Sequence, residues 1–415
     1  MLLIPIVFWQ IFLSFTLYGT VSCSDDANSK KGNRVGFDLG AELQQVWPRK
    51  LPVDISTRRR TAAGNCPCSD PSWCDTIKTT RSKEIYLFSV SSHSWQHYDW
   101  DHITTIAMFG YYDPKLMCFA HSKGVRVVVL GEFGAALLTN YTAQVEWVMS
   151  KVNYAIDNHM DGINLDIEFP LTKEEAPLLT SMVQMTTKVF KQSIPYSQVT
   201  FDVAWSPNCI DLRCYDYKAI ADAVDFVFVM SYDEQSQIYG DCIAKANSPY
   251  HQTAQGVEAF LKLGIAAKKM VLGVPWYGYN YKCLNVSKSD VCSIPEVPFR
   301  GVNCSDAAGS QKSFSDVMKL LANNSTKGRK WNPIYKAPYF DYMDLEKGDT
   351  YQVWYDDTQS LQLRYDYAKE TGLLGVGPWN ADLLDYSYDP ISKNQTAAMW
   401  AAMASFLDTV SSKTP

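Results

Sequence analysis

Short apolar runs alternate along this chain with longer amphipathic stretches, and the alternation starts near Glu84. Eight runs have the length and the β-branched or aromatic content of buried strands: 84–90, 103–110, 126–132, 161–168, 199–205, 226–233, 271–278 and 374–380. Between them, stretches such as 144–158 and 174–192 carry apolar residues at helical spacing. Strands joined by crossovers long enough for a helix predict a parallel sheet. Its economical closure is a (β/α)8 TIM barrel of the α/β class. One connection breaks the rhythm. About eighty residues, 279–357, separate the seventh strand from the helical pattern at 358–371, too many for a structureless loop. They predict a small α+β insertion after the seventh strand.

The beginning of the chain follows neither rhythm. Residues 2–18 are apolar except for Gln10, Ser14 and Thr16, and small residues follow, so a signal peptide is predicted over 1–23 with cleavage near Ser22 or Cys23. No later stretch is long and apolar enough to span a bilayer. Residues 24–63, with Pro48 and Pro52 as breakers, read as a flexible arm or propeptide, and Arg58-Arg59-Arg60 offers a basic cleavage site. The remaining 64–415 form the predicted barrel domain. The arm holds eight basic against five acidic side chains, so within a total of -6 the chain from Gly64 onward carries -9. That excess argues against nucleic acid as a partner.

Cysteine usage agrees with a luminal or secreted protein. Without Cys23 ten remain (Cys66, Cys68, Cys74, Cys118, Cys209, Cys214, Cys242, Cys283, Cys292, Cys304), enough for five disulfides. Pairing is open, although Cys209 with Cys214 and Cys283 with Cys292 close short local loops. Cys66-Pro67-Cys68 lacks a second pair for zinc, and His93, His97 and His102 lie among aromatic residues, so no metal is expected. Six sequons, at Asn140, Asn285, Asn303, Asn323, Asn324 and Asn394, predict a glycoprotein.

The chemistry is concentrated in DGINLDIEFP. Alternation sends Ile163, Leu165, Ile167 and Phe169 to one face and Gly162, Asn164, Asp166 and Glu168 to the other. In a barrel the apolar set packs under the helices, so two acids and an amide face the interior at the catalytic, C-terminal rim. Unless hydrogen bonds compensate, that arrangement costs several kcal/mol. Residues two apart on one strand face lie roughly 6.5–7 Å apart, close enough for each carboxylate to raise the other's pKa and leave a protonated acid. Glu168, nearer the solvent, is the candidate acid. A structural pair bonded to backbone or to an interior arginine is the alternative, and Asp161 is expected to fix the strand start.

These residues resemble the DGxDxDxE signature of family 18 glycoside hydrolases, chitinase-like (β/α)8 barrels. MSYD (230–233), GVPWYG (273–278), WYDD (354–357) and GVGPWN (375–380) resemble further family motifs in the right order, and the likeness runs from about Cys66 to the C-terminus. FDVAWSP (201–207) and MSYDEQSQI (230–238) are most similar to the family's lysosomal exoglycosidases acting on the chitobiose core of Asn-linked glycans. Asn164 departs from the pattern by standing where the first Asp of DxDxE is usual. With one charge gone, Asp166 cannot share a proton with a carboxylate at that position, and a changed pH profile is expected.

The resemblance implies a retaining, substrate-assisted mechanism without a cofactor, in which the sugar's own 2-acetamido oxygen attacks C1. It implies Glu168 as proton donor, Asp166 as the group orienting the acetamido N–H, Tyr232 as its hydrogen-bond partner and Trp379 as the floor of the sugar site. Asn164, Asp233, Trp205, Trp276 and Tyr277 are expected around the substrate. The implied partners are N-acetylglucosamine oligosaccharides, and the implied state is a lysosomal or secreted monomer. An endo-acting chitinase and a non-catalytic chitinase-like lectin are the alternatives.

Overall fold

The computed structural model of the chain describes residues 64–237 and 240–408, together with Arg58 and Ala62. The signal peptide expected at 1–23 and nearly all of the arm expected at 24–63 lie outside the described residues. Of that arm, Arg58 pairs with Asp157 at 3.4 Å and Ala62 is buried. No helix among the described residues is long and apolar enough to cross a membrane.

Strands β1 (Glu84–Ser89), β2 (Thr105–Met108), β3 (Arg126–Gly131), β4 (Gly162–Leu165), β5 (Gln198–Ala204), β6 (Phe226–Met230) and β7 (Met270–Pro275) come first. The insertion then adds β8 (Tyr277–Lys282), β9 (Asn285–Val286), β10 (Cys292–Ser293), β11 (Gly309–Ser313), β12 (Lys330–Asn332), β13 (Ala337–Asp344) and β14 (Asp349–Trp354), and β15 (Gly375–Trp379) completes the barrel. The barrel closes in the order β1-β15-β7-β6-β5-β4-β3-β2, all parallel. Helices α1 (Pro114–Ser122), α2 (Tyr141–Asp157), α3 (Ala176–Ser193), α4 (Tyr217–Ala223) and α5 (Tyr250–Lys262) follow β2 to β6. Helix α6 (Phe314–Asn324) belongs to the insertion, and α7 (Thr358–Glu370) and α8 (Pro390–Ala404) finish the outer ring.

The α+β insertion is present. It is an antiparallel five-stranded sheet, β11-β8-β14-β13-β12, with α6 and the short β9-β10 hairpin. It starts slightly earlier than its expected boundary, because the seventh apolar run divides at Trp276. There the backbone N–H donates to Trp379 O at 3.0 Å, and from Tyr277 the chain pairs with β11 instead. The first crossover also differs from expectation. It carries only a 3-10 turn, Trp95–His97, because aromatic residues there do not recur at helical spacing. Trp95 and Trp100 instead pack against Phe119 of α1.

Large aromatic side chains fill the lower barrel: Tyr86, Phe88, Phe226 and Phe228 pack on one another. Glycines make the space. A Cβ on Gly273 would lie 2.4 Å from the Phe228 ring, and one on Gly377 would lie 1.8 Å from Tyr86 O. Beside these rings the interior is polar on β4 and β5, with Asn164, Thr200 and Asp202 fully buried. Asp161 fixes the β4 start as expected, accepting from Ile77 N, Val127 N and His121 Nε2 at 2.7, 2.7 and 2.8 Å. His121 Nδ1 lies 2.6 Å from the Trp73 carbonyl. With acceptors at both ring nitrogens, His121 is an imidazolium buried against its carboxylate.

The ten cysteines form five disulfides: Cys66–Cys74, Cys68–Cys118, Cys209–Cys214, Cys242–Cys304 and Cys283–Cys292. Both expected local loops are among them, while Cys66 pairs with Cys74 and Cys68 with Cys118.

Candidate active site

The β4 ladder ends at Leu165, so the acids of DGINLDIE sit on an extended tip beyond the last strand residue, three residues short of the expected end. The alternation persists past the ladder. Ile163, Leu165 and Ile167 are buried outward under the helices, while Asn164 and Asp166 turn inward and Glu168 reaches solvent. Tyr215 from the β5–α4 loop clamps this tip, donating through its hydroxyl toward Ile167 O (3.2 Å) and Phe169 O (2.5 Å). Arg213 Nη1 donates to Glu168 Oε2 at 2.8 Å and its Nη2 to Asp211 Oδ2 at 3.2 Å. Arg213 is almost fully buried, whereas half of the Glu168 side chain is exposed, so one carboxylate oxygen is anchored and the other faces the mouth. Cys209–Cys214 closes the loop that carries Asp211 and Arg213.

Asp166 lies deeper. Its Oδ1 is buried without a hydrogen-bond partner, and burial, followed by the charges of Glu168 and Asp202, pushes its carboxyl well above the ordinary range. Asn164 donates through Nδ2 to Asp202 Oδ1 at 2.8 Å and to Thr200 Oγ1 at 3.0 Å. Position 164 supplies no carboxylate to Asp166, and the neighbouring one comes from β5. Tyr232, just past β6, is 9% exposed, and burial raises its hydroxyl well above the usual phenol value, so it keeps its proton and can act as a hydrogen-bond donor.

Trp379 ends β15, four places from β4 around the ring and so directly across the mouth from Glu168. Its half-buried indole rests on Phe88 and Phe109, at centroid distances of 5.1 and 5.0 Å. Asp233 accepts from the Tyr277 hydroxyl at 2.5 Å and the Tyr279 hydroxyl at 3.0 Å. Burial raises its carboxyl to about 6, against the lowering effect of those bonds. Tyr277 thus holds Asp233 in place through its hydroxyl. Trp276 and Trp205 lie elsewhere than expected. Trp276 is fully buried against Trp400 of α8, and Trp205 continues the outward face of β5, its ring against Gly256 of α5. Both are barrel packing, a consequence of strand alternation.

The insertion closes one side. Arg300 Nη1 donates to Glu168 O at 3.1 Å and lies 3.7 Å from Asp211. Beside the acid is a cavity of about 420 Å³ lined by Glu168, Asp211, Asp233, Tyr279, Arg300 and Gln311. A larger one, about 620 Å³, lies on the outer wall around His97, His102 and Trp400 and holds none of the interior acids. There His102 pairs with Asp99 and His97 stacks on Tyr386, so the histidines have protein partners.

A barrel with two inward acids at its C-terminal rim, a facing tryptophan and an α+β insertion after the seventh strand narrows the choice of family. The model of glycosyl hydrolases family 18 matches residues 90–383. The chain belongs to that family and is a glycosidase. It is 51% identical to di-N-acetylchitobiase of Mus musculus over 83% of this chain and 94% of the mouse protein. It is 49% identical to that of Homo sapiens over 83% and 90%. Among solved structures, the family 18 chitinase of Cycas revoluta in complex with (GlcNAc)3 aligns with a TM-score of 0.60 at 19% identity, covering 79% of this chain and all of that one. A putative chitinase domain of Desulfitobacterium hafniense gives 0.62 at 19% over the same share. These two likenesses speak for the family fold.

The sequence reading missed Asp202, Arg213, Tyr215, Tyr279 and Arg300. Asp202 was within reach, because Thr200 and Asp202 occupy inward positions of β5 just as Asn164 and Asp166 do on β4. Tyr279 shares a face of β8 with Tyr277, so the same period reaches it; Arg213, Tyr215 and Arg300 come from loops, where no period marks the direction of a side chain.

Proposed function

We propose that this chain is an exo-acting glycosidase that hydrolyses the β-1,4 bond in the chitobiose core of Asn-linked glycans and releases the reducing-end N-acetylglucosamine. The reaction is substrate-assisted and retaining. Glu168 gives its proton to the glycosidic oxygen, the 2-acetamido carbonyl oxygen attacks C1, and water then opens the resulting oxazolinium ion with net retention. Asp166 faces the acetamido N–H, Tyr232 donates to its carbonyl oxygen, Trp379 carries the sugar ring, and Asp233 takes part in substrate binding. The observation that carries this reading is half identity to proteins named di-N-acetylchitobiase along most of their length, and Glu168, Asp166 and Tyr232 stand in the segments that resemble the family's motifs. The Arg300 contact beside Glu168 supports short substrates, since the insertion walls the mouth there.

Product analysis on reducing-end-labelled N-acetylglucosamine oligomers tests it. Release of one labelled monosaccharide is expected. Internal cuts would instead identify an endochitinase, and binding without cleavage a lectin.

The proposal extends to a glycoprotein of the lysosome, or alternatively a secreted one. All six sequon asparagines are exposed. The buried acids suit an acidic compartment. Burial holds Asp233, Glu234 and Asp356 above the ordinary carboxylate range. An acid whose folded pKa lies above its unfolded value, about 4, stabilises the fold fully below that value and loses the contribution as pH rises through the folded one, about 6 for Asp233. For His121 burial opposes the charge, but the Asp161 carboxylate outweighs it, so its contribution is likewise lost with rising pH. His159 and His251, lowered by burial, act in the other direction. Asp233 alone contributes on the order of 1 kcal/mol between pH 7.5 and 5. The melting temperature of the purified protein is therefore expected to be higher at pH 5 than at pH 7.5. A maximum at or above pH 7.5 would count against the acid assignment.

A further inference from the structure

Asp202 is 2% exposed, carries no role in the scheme above, and sits on the inward face of β5. The β4–β5 register pairs Asn164 with Thr200 and Leu165 with Phe201, so the next inward positions, Asp166 and Asp202, stand side by side across the strand boundary. Asn164 spends its Nδ2 on Asp202 Oδ1 and Thr200 Oγ1, and its Oδ1 is buried without a partner. The amide is thereby locked by β5, with its acceptor oxygen left over. At the position where DxDxE has its first carboxylate there is none, yet one is buried a strand away and hydrogen-bonded to the residue that took its place.

We propose that Asp202 is a positioning residue that replaces the missing carboxylate, sharing one proton with Asp166 across the β4–β5 boundary and aiming Asn164. This rests on the reading of Asp166 as the group that faces the acetamido N–H. When Asp166 ionises against the developing oxazolinium ion, its proton passes to Asp202, and the pair keeps a net charge of -1. Two adjacent buried carboxyls cannot both ionise at acceptable cost, so one proton stays between them. Burial raises both acids. The Asn164 hydrogen bond tempers Asp202, and the Glu168 charge raises both further. Tyr86 of β1, whose hydroxyl lies 3.1 Å from Thr200 Oγ1, and Tyr232 beyond β6 also face Asp202, both held neutral by burial. Glu132, beyond β3, and Arg213 act on Asp166 from the other side with opposite signs.

The test compares Asp202→Asn, Asn164→Asp and the double exchange Asn164→Asp/Asp202→Asn, on an N-acetylglucosamine oligomer cleaved by the unaltered enzyme. Asp202→Asn should lower kcat by about 10- to 100-fold with little change in KM. It should also displace a limb of the kcat–pH profile by about one pH unit or more. Asn164→Asp alone keeps Asp202, adds a third carboxyl and should move that limb to higher pH. The double exchange returns the carboxylate to β4 and should recover most of the kcat lost by Asp202→Asn, together with its pH limb. A merely structural Asp202 would show as a lowered melting temperature with an unmoved limb and no recovery on exchange, and that result overturns the proposal. So does an unmoved limb in Asn164→Asp, which does not depend on Asp202→Asn folding. Failure of the proposed function would show differently, as absence of cleavage by the unaltered enzyme.

Discussion

Glu168→Gln is expected to lose roughly 10²- to 10⁴-fold in kcat while its KM for N-acetylglucosamine oligomers stays near that of the unaltered enzyme. The amide keeps the shape of the side chain and can still meet the glycosidic oxygen, but it has no proton to give. The fold does not depend on the charge. Half of the Glu168 side chain is exposed, and Arg213 keeps its bond to Asp211 when the Glu168 partner is neutralised. The backbone around Glu168 is held independently through Tyr215 and Arg300. Steady-state kinetics beside a melting curve separate the two effects. A variant with undiminished kcat would remove Glu168 from the role of acid.

Asp166→Asn is the second large effect, and it should appear in kcat alone. Burial and the neighbouring Glu168 and Asp202 charges hold the Asp166 carboxyl above the ordinary range, which favours its protonated form. A cation forming beside it reverses that balance. The carboxylate charge then becomes available as the oxazolinium ion develops, and an interaction made mainly in the transition state raises kcat instead of tightening ground-state binding. Removing such electrostatic stabilisation costs about 10²- to 10³-fold. Asn retains the acceptor oxygen for the acetamido N–H, so KM should change little. A rise in KM with constant kcat would assign Asp166 to substrate binding only.

The barrel was legible because its strands are buried on both faces and its helices on one, so both periods are written in the apolar residues. All eight strand runs of the sequence correspond to β1 to β7 and β15. Their tips were overestimated where function begins: the alternation of 161–168 and the run of 226–233 both extend past the last residue of the hydrogen-bond ladder, and the ladder leaves no mark in side-chain chemistry. The same alternation, applied to β5, points Asp202 inward and Trp205 outward. That parity takes Trp205 away from the place around the substrate that the family resemblance implies. Trp276 was displaced for a related reason. Pro275 ends one sheet and Tyr277 starts another, and the residue between them faces the helices. Arg213 and Arg300 were not legible, since their place beside Glu168 depends on the Cys209–Cys214 loop and on the insertion folding back over the mouth.

The role of the substrate's own acetamido group is open to direct measurement with chitobiose substrates whose non-reducing 2-acetamido group carries zero, one, two or three fluorines. Fluorine withdraws electron density from the carbonyl oxygen that is to attack C1 while changing the size of the group little. With Asp166 and Tyr232 serving that oxygen's attack, kcat should fall at every step of the series. A kcat indifferent to fluorination would mean that an enzyme carboxylate or a water molecule attacks C1, and would contradict substrate assistance at this site.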